Sequence, residues 1–599
     1  MSASELLKAI KLLATRGEQL AAYDLSVQAL AQYPGDLWIK HQAVLSLARA
    51  GATHQAMELF EKLELDREGS EDIRALKARL LKDHALSYPP EDRARHFLVA
   101  AAVYEQIYQE THGYYPGINA ATLYFLAGNR EKSHALAEAV LMQINGPSNH
   151  EMPDAYYREA TRAEAQFLLG DLEGVRKHIL LAKNFAGDDY SAVATTRKQF
   201  RLLFTEDQNS LLSELKNPKV IHYSGHLIDP PGAKQKRFAA TDEGFVRAQI
   251  DAFLRKNEVK FGFGSLANGS DILFAEALLD CDASLEIYLP FCIEDFLQIS
   301  VLPGGPEWQE RFHRVIAKAT RVSFATEDQY LKDDSLFTYC SQLAMGQAIL
   351  RAQHLETDVL QVTVWDGKPA VGIAGTAIDI LAWNKLGFPQ EIIKLPCFQK
   401  PAEDFFENNT LDAKRDEGVK GQRVLRAILF GDIKGFSKLH EAQINVFVDE
   451  ILGLFGHVLD GMPGKVLFRN TWGDGIFVIL PDVLTAAECA IKMQKQLAQL
   501  IEQKKEFANH ALRLGAHFGP VIEKYDPVLK KTNYFGVHVS RAARVEPVTP
   551  PGKVYATWPF ASQIAILKNA PVRVDYVGDL PAAKSYGHLQ MYVLTERHR

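Results

Sequence analysis

Cysteine is scarce in this chain of 599 residues: Cys281, Cys292, Cys340, Cys397 and Cys489 are the only five, and none stands at metal-ligand spacing from another. A chain this long can build its cores without disulfide staples, so five free thiols in a reducing compartment are expected. Long apolar runs are missing as well. No segment approaches the ~18 apolar residues of a membrane span, and the opening MSASELLKAIKLLATRGEQ has no signal-peptide character, which predicts a cytoplasmic protein with no membrane partner. Nor is there a surplus of positive charge. The 67 Lys and Arg against 74 Asp and Glu leave a formal charge of −7, so no overall field draws the chain onto nucleic acid or anionic lipid. What is present, 47% hydrophobic and 24% charged residues, excludes the disordered and fibrous classes. The length exceeds what one core supports, and three domains are expected.

Residues 1–213 carry apolar positions at helical spacing and almost no β-branched alternation, which predicts an all-α region. Three stretches repeat one unit: LSLARAGATHQAMELFEKL around Gly51, LYFLAGNREKSHALAEAVL around Gly128 and AQFLLGDLEGVRKHILLA around Gly170. In each, a glycine ends one helix and alanines in the next allow close approach. The unit resembles the tetratricopeptide repeat. Residues 85–205, with YYPGINAATLYFLAG and DAYYREATRAEAQFLLGD, also resemble the helical TRAF-binding domain of stress-activated kinase kinase kinases. That resemblance implies an interaction platform with a protein partner on its concave face.

Residues 217–396 change to strands alternating with helices, the pattern of a Rossmann-like α/β domain with a parallel sheet. Two glycine-bearing loops follow strands and open helices, FGFGSLANGSD and WDGKPAVGIAGTAID. Such loops can hold a phosphate on free amides, and they also occur for backbone geometry alone. The arrangement resembles the nucleotide-binding SLOG group, which implies a nucleotide-type ligand here. The charged segment 397–422 reads as a linker.

Residues 423–599 hold the chemistry. RAILFGDIKGFSKL is an apolar strand that runs into a turn at Asp432, and KVLFRNTWGDGIFVIL is a hairpin with Asp474 at its tip. Either acid alone could cap a turn. Together, on adjacent β elements, they suit two divalent cations, Mg²⁺ or Mn²⁺, with one backbone carbonyl, that of Ile433, beside them. The order FGDIKGFS, TWGDG, LRLGAHFGPV, YFGVHVSRAARVE, GKVYAT is similar to that of the class III adenylate and guanylate cyclases over about 175 residues.

That resemblance implies an α+β domain acting on a nucleoside triphosphate, with Asp432 and Asp474 as metal ligands and Arg544 stabilising charge on the phosphate. It also implies a homodimer, because the family builds each site from two domains, and an arm, VIEKYDPVLKKTNYFG, that crosses to the partner. Three positions depart from the family pattern. Ser540 replaces the asparagine that orients the ribose, and Asn470 and Asn533 replace the base-reading lysine and its partner. Two asparagine amides suit adenine, guanine or a pyrimidine, so the base stays open. Lys584 resembles the late lysine that contacts the triphosphate, although a solvated surface lysine reads equally well. The competing expectation is a cyclase fold without turnover, serving as a nucleotide-binding or dimerisation module.

Overall fold

The computed structural model describes residues 1–146, 155–233, 236–370, 372–401, 405, 423–583 and 587–597. Helices run from Ala3–Thr15 to Tyr190–Leu203, arranged as successive hairpins. Three hairpins turn in the same way. Leu37–Arg49 meets Thr53–Lys62 through Gly51, Tyr114–Leu126 meets Arg130–Asn145 through Gly128, and Ala155–Leu168 meets Leu172–Ala186 through Gly170. The glycines have φ of 86°, 87° and 86°. After each, an N–H reaches back to close the helix end: Ala52 to the Leu47 carbonyl, Asn129 to that of Tyr124, Asp171 to that of Gln166. This closure needs a left-handed residue. A Cβ at any of the three would meet nothing within 4 Å, so the dihedral and not crowding requires glycine.

The middle sheet contains β1 (Lys219–Gly225), β2 (Val259–Gly264), β3 (Ser284–Leu289), β4 (Arg321–Phe324), β5 (Val359–Trp365) and β6 (Gln390–Lys394). Its order is β4-β3-β2-β1-β5-β6, and every neighbouring pair is parallel. Strand β5 is buried along its whole length, as a central parallel strand must be. The expected linker 397–422 lies mostly outside the described residues. Of its described part, Phe405 is buried against the ring of Trp365, with centroids 5.4 Å apart.

The C-terminal sheet is mixed. It comprises β7 (Arg423–Lys434), β8 (Phe468–Trp472), β9 (Gly475–Leu480), β10 (Ala511–Asp526), β11 (Lys531–Phe535), β12 (Val554–Thr557), β13 (Val572–Pro581) and β14 (His588–Glu596). The order is β13-β14-β12-β10-β7-β9-β8, with β11 folded onto β10. The chain is thus a multidomain protein with a helical-repeat region, a parallel α/β domain and an α+β domain. Among the described residues all five cysteines are free, and no helix is long and apolar enough to cross a membrane.

One helix ties the three parts together. Ser335–Leu355 is buried on several faces, and one apolar core runs from the middle sheet through it into the C-terminal domain. Tyr339 donates to the Phe518 carbonyl in β10 at 2.8 Å, and Gln347 donates to Ser562 Oγ at 2.7 Å. Near its other end Arg351 bonds the Gly17 carbonyl at 3.1 Å and pairs with Glu18 of the helical region. Beside this helix, Arg423 grips Asp333 through Nε at 2.5 Å and Nη2 at 3.0 Å, with both side chains almost fully buried.

Gly346 marks the closest approach. A Cβ there would fall 2.2 Å from the backbone oxygen of Ser562 in the helix Trp558–Ala565. Alanine gains about 1 kcal/mol of helix propensity over glycine, but overpacking against backbone costs about 1–3 kcal/mol. Gly346→Ala is therefore expected to lower the urea midpoint of the full-length protein. A midpoint at or above that of the wild type would refute close packing at this contact.

Candidate active site

Strand β7 carries Asp432 third from its end, and Gly435, at φ 104°, turns the chain directly after the strand. Antiparallel pairing with β10 sets Arg513 opposite Asp432, where directly opposed side chains meet. Arg513 Nη2 hydrogen-bonds Asp432 Oδ2 and also lies 3.1 Å from Glu546 Oε1. Asp474 sits in the two-residue turn of the β8–β9 hairpin, which Trp472 and Gly475 close as an opposed pair. Gly473 supplies the positive φ, 66°, that such a turn needs. A Cβ on Gly473 would rest 3.6 Å from the Phe436 ring, so the hairpin tip lies over the loop that follows Asp432. The two aspartates come within hydrogen-bonding reach of each other.

Burial first, and then the charge of Asp432, push the Asp474 carboxyl above the usual carboxylate range. Burial pushes Glu546 up to about 7, against the pull of Arg513. Three acids thus share one guanidinium, an excess of negative charge that a divalent cation would relieve. Ile433 buries its side chain in the core at 1% exposure, so only its carbonyl is available as a ligand. Among the described residues no cluster of three or more His, Cys, Asp or Glu is placed to hold a metal ion. A cation here would take two carboxylates and a carbonyl from the chain, with its remaining ligands coming from water or substrate.

Ser540 and Arg544 lie one turn apart on the helix Val537–Val545, hence on one face. Ser540 is exposed and Arg544 half-buried, and Arg544 forms no ion pair among the described residues. The opposite side of the helix is anchored: Arg541 lies 3.5 Å from Glu327 of the middle domain, and His538 Nδ1 stacks 2.8 Å from His517 Nε2. Asn470 is half-buried on β8. Asn533, on β11, already uses its amide within the chain, donating to Asp526 Oδ2 at 2.9 Å and accepting from the Tyr534 N–H at 2.8 Å. Strands β10 and β11 form a hairpin whose tip exposes Tyr525, Val528 and Leu529. Lys584 lies outside the described residues.

The structure brings Asp432 and Asp474 together, and among the described residues no hydrogen bond or ion pair joins Ser540 or Arg544 to either of them. It adds Arg513 and Glu546, which the sequence reading passed over. Arg513 stands in the quoted block LRLGAHFGPV, and its role emerges only from the β7–β10 register.

Residues 422–596 match the model of the Adenylate and Guanylate cyclase catalytic domain, and residues 20–124 match that of the Tetratricopeptide Repeats-Sensor family. A Rhizobium meliloti (strain 1021) protein named as an adenylate cyclase is 30% identical over 136 residues, covering 22% of this chain and 22% of its own length. The adenylate cyclase of Mycosarcoma maydis is 27% identical over 150 residues, 22% of this chain and 6% of its own. The chain therefore spans less than a quarter of either relative. Among solved structures, the adenylyl cyclase CyaB from P. aeruginosa covers 30% of this chain and 98% of its own, at 18% identity and a TM-score of 0.27. Residues 422–596 are a domain of the adenylate and guanylate cyclase catalytic family, and residues 20–124 a domain of the Tetratricopeptide Repeats-Sensor family.

Proposed function

We propose that the C-terminal domain is a nucleotidyl cyclase that converts a nucleoside triphosphate, ATP or GTP, into its 3′,5′-cyclic monophosphate. The observation that carries this reading is the approach of Asp432 and Asp474 at the ends of adjacent β elements, with Arg513 and Glu546 beside them. In the reaction the ribose 3′-oxygen forms a bond to the α-phosphorus, the bond to the β-phosphate oxygen breaks, and pyrophosphate leaves. The 3′-hydroxyl proton passes to solvent. Two divalent cations, Mg²⁺ or Mn²⁺, would lower the pKa of that hydroxyl and neutralise the leaving group.

Asp432, Asp474 and the Ile433 carbonyl are assigned to hold the cations. Arg513 keeps the Asp432 carboxylate oriented, and its guanidinium is suited to an adjoining phosphate oxygen. Arg544 is assigned to the charge that develops on the α-phosphate, and Ser540 to the ribose. Because Arg544 has no ion partner in its own chain among the described residues, the working site is read as shared between two copies. The exposed apolar arm tip, Tyr525, Val528 and Leu529, together with the 53% exposed Trp472, supports that homodimer. Asn470 and Asn533 are assigned to the base, and the helical and parallel-sheet domains to regulation. The internal bonding of Asn533 favours a second reading, a cyclase fold that binds nucleotide without turning it over.

The test is to incubate the full-length protein with Mn²⁺ or Mg²⁺ and each of ATP, GTP, CTP and UTP, and to identify products by mass spectrometry. A cyclic monophosphate from ATP or GTP is expected. A dimeric sample that binds nucleotide but forms no product from any of the four would favour the second reading.

A further inference from the structure

A cavity of about 670 Å³ lies in the middle domain at the carboxyl edge of the parallel sheet. It opens between the end of β1 and the loop after β5, where strand order reverses about β1. Doubly wound sheets leave a crevice at that point, and the volume is that of a small-metabolite site.

Two acids from different helices line it. Asp271 lies in the first turn of the helix Ser270–Asp280 and is 7% exposed; its Oδ2 accepts the Ala267 N–H at 3.2 Å, the Gly225 N–H lies close to the carboxyl, and no donor meets Oδ1 with full hydrogen-bond geometry. Asp379, in the helix Thr376–Leu386, is 9% exposed and has the Ser341 and Ser224 hydroxyls beside it. No cation pairs with either acid among the described residues. Arg237, also on the cavity wall, commits Nε and Nη2 to Asp366 at 2.7 and 3.0 Å, and burial holds His222, at the inner end of the cavity, neutral. Burial pushes Asp271 up to about 8, reinforced by the nearby Asp379, and pushes Asp379 up to about 7. A buried carboxyl oxygen without a donor costs stability. Capping the loop needs only the oxygen that Ala267 already uses.

The glycines show from which side a ligand can approach. In the first loop a Cβ on Gly269 would fall 2.4 Å from the Ile228 nitrogen, and one on Gly262 or Gly264 would strike Leu278 or Tyr223. These glycines therefore serve the packing of the chain on itself, and the helix they open presents a carboxyl to the cavity, which disfavours phosphate. In the second loop, Gly372 and Gly375 meet nothing within 4 Å, so that side is open to an approaching molecule.

We infer that this cavity binds a small molecule that presents paired N–H or O–H donors to Asp271 and Asp379, an amine or guanidine on one hand or a vicinal diol on the other. Phosphate is not its ligand at the Asp271 turn.

The test uses the full-length protein at pH 7.5 and reads thermal melting with 10 mM agmatine, ribose or inorganic phosphate. Agmatine or ribose is expected to raise the melting temperature by at least 2 °C, and the shift to vanish in both Asp271→Asn and Asp379→Asn. Agmatine alone assigns the amine, ribose alone the diol. No shift with either, an equal shift in the variants, or stabilisation by phosphate that depends on Asp271 would overturn the inference. Both variants should fold, because asparagine keeps the shape and, like the protonated carboxyl that burial favours, carries no charge. Loss of folding would mark the acids as structural and overturn it too. No readout depends on cyclic nucleotide formation, so the result stands apart from the cyclase proposal.

Discussion

Asp432→Ala and Asp474→Ala are each expected to reduce cyclic nucleotide formation by about a thousandfold or more, the scale of losing a preorganised charged group at a reacting phosphate. Folding should survive. In Asp432→Ala the Arg513 guanidinium keeps Glu546 as its partner, so no cation is stranded. In Asp474→Ala the loss falls on a partly exposed hairpin tip and relieves the repulsion with Asp432. A variant with wild-type turnover would sink the metal assignment, and one that unfolds would mean the acid is needed for the fold. Mixing Asp432→Ala chains with Arg544→Ala chains tests the shared site. In a two-fold dimer half the random pairs are mixed and each holds one intact site, so about a quarter of wild-type activity should return. Mixed dimers that stay silent would show that each chain completes its own site.

Asp271→Asn should become steadily more favourable, relative to the wild type, as pH rises. The folded-state carboxyl is raised from 3.8 to about 8 by burial. Between those values the folded protein holds a proton that the unfolded chain has released. The contribution of Asp271 is therefore complete below pH 4 and is lost as pH rises through 8. At about 1.4 kcal/mol per pH unit over roughly four units, the difference between variant and wild type should change by about 5 kcal/mol from pH 4 to pH 9.

The comparison with the variant is needed because the wild-type curve alone hides the effect. Burial also lowers His222, His517 and His538, and their unfolded counterparts take up protons below about pH 6.5. They withdraw stability as pH falls, about 2 kcal/mol by pH 5 for His222, while Asp271 and Asp379 return it. Urea titrations of both proteins at pH 5, 7 and 9 decide the matter. A constant difference would mean that Asp271 titrates as an ordinary carboxyl.

What could be read from the sequence follows from how local each signal is. Gly51, Gly128 and Gly170 announce helix ends because a left-handed closure depends on the residue itself. The Gly473–Asp474 turn is equally local. Arg513 escaped notice because its meaning lies in pairing with a strand 81 positions away. The internal bonding of Asn533 depends on the hairpin that folds it against Asp526, which motif spacing does not describe. Gly269 suggested a phosphate loop, yet its crowding against Ile228 comes from a chain crossing that no local pattern reports. The burial of Ser335–Leu355 on several faces depends on which domains cover the helix, and its own residues do not report that.

That helix also governs the order in which the chain can acquire its structure. Gln347 and Ser562 are 215 positions apart, and a loop of that length is costly to close and slow to find. As the polypeptide leaves the ribosome, the middle domain can form its parallel sheet early. It must then hold Tyr339 uncovered until Phe518 has been made, and Gly346 until Ser562 has been made. During that interval the nascent chain exposes apolar surface, and this is the stage of its biogenesis at which a chaperone has most to shield.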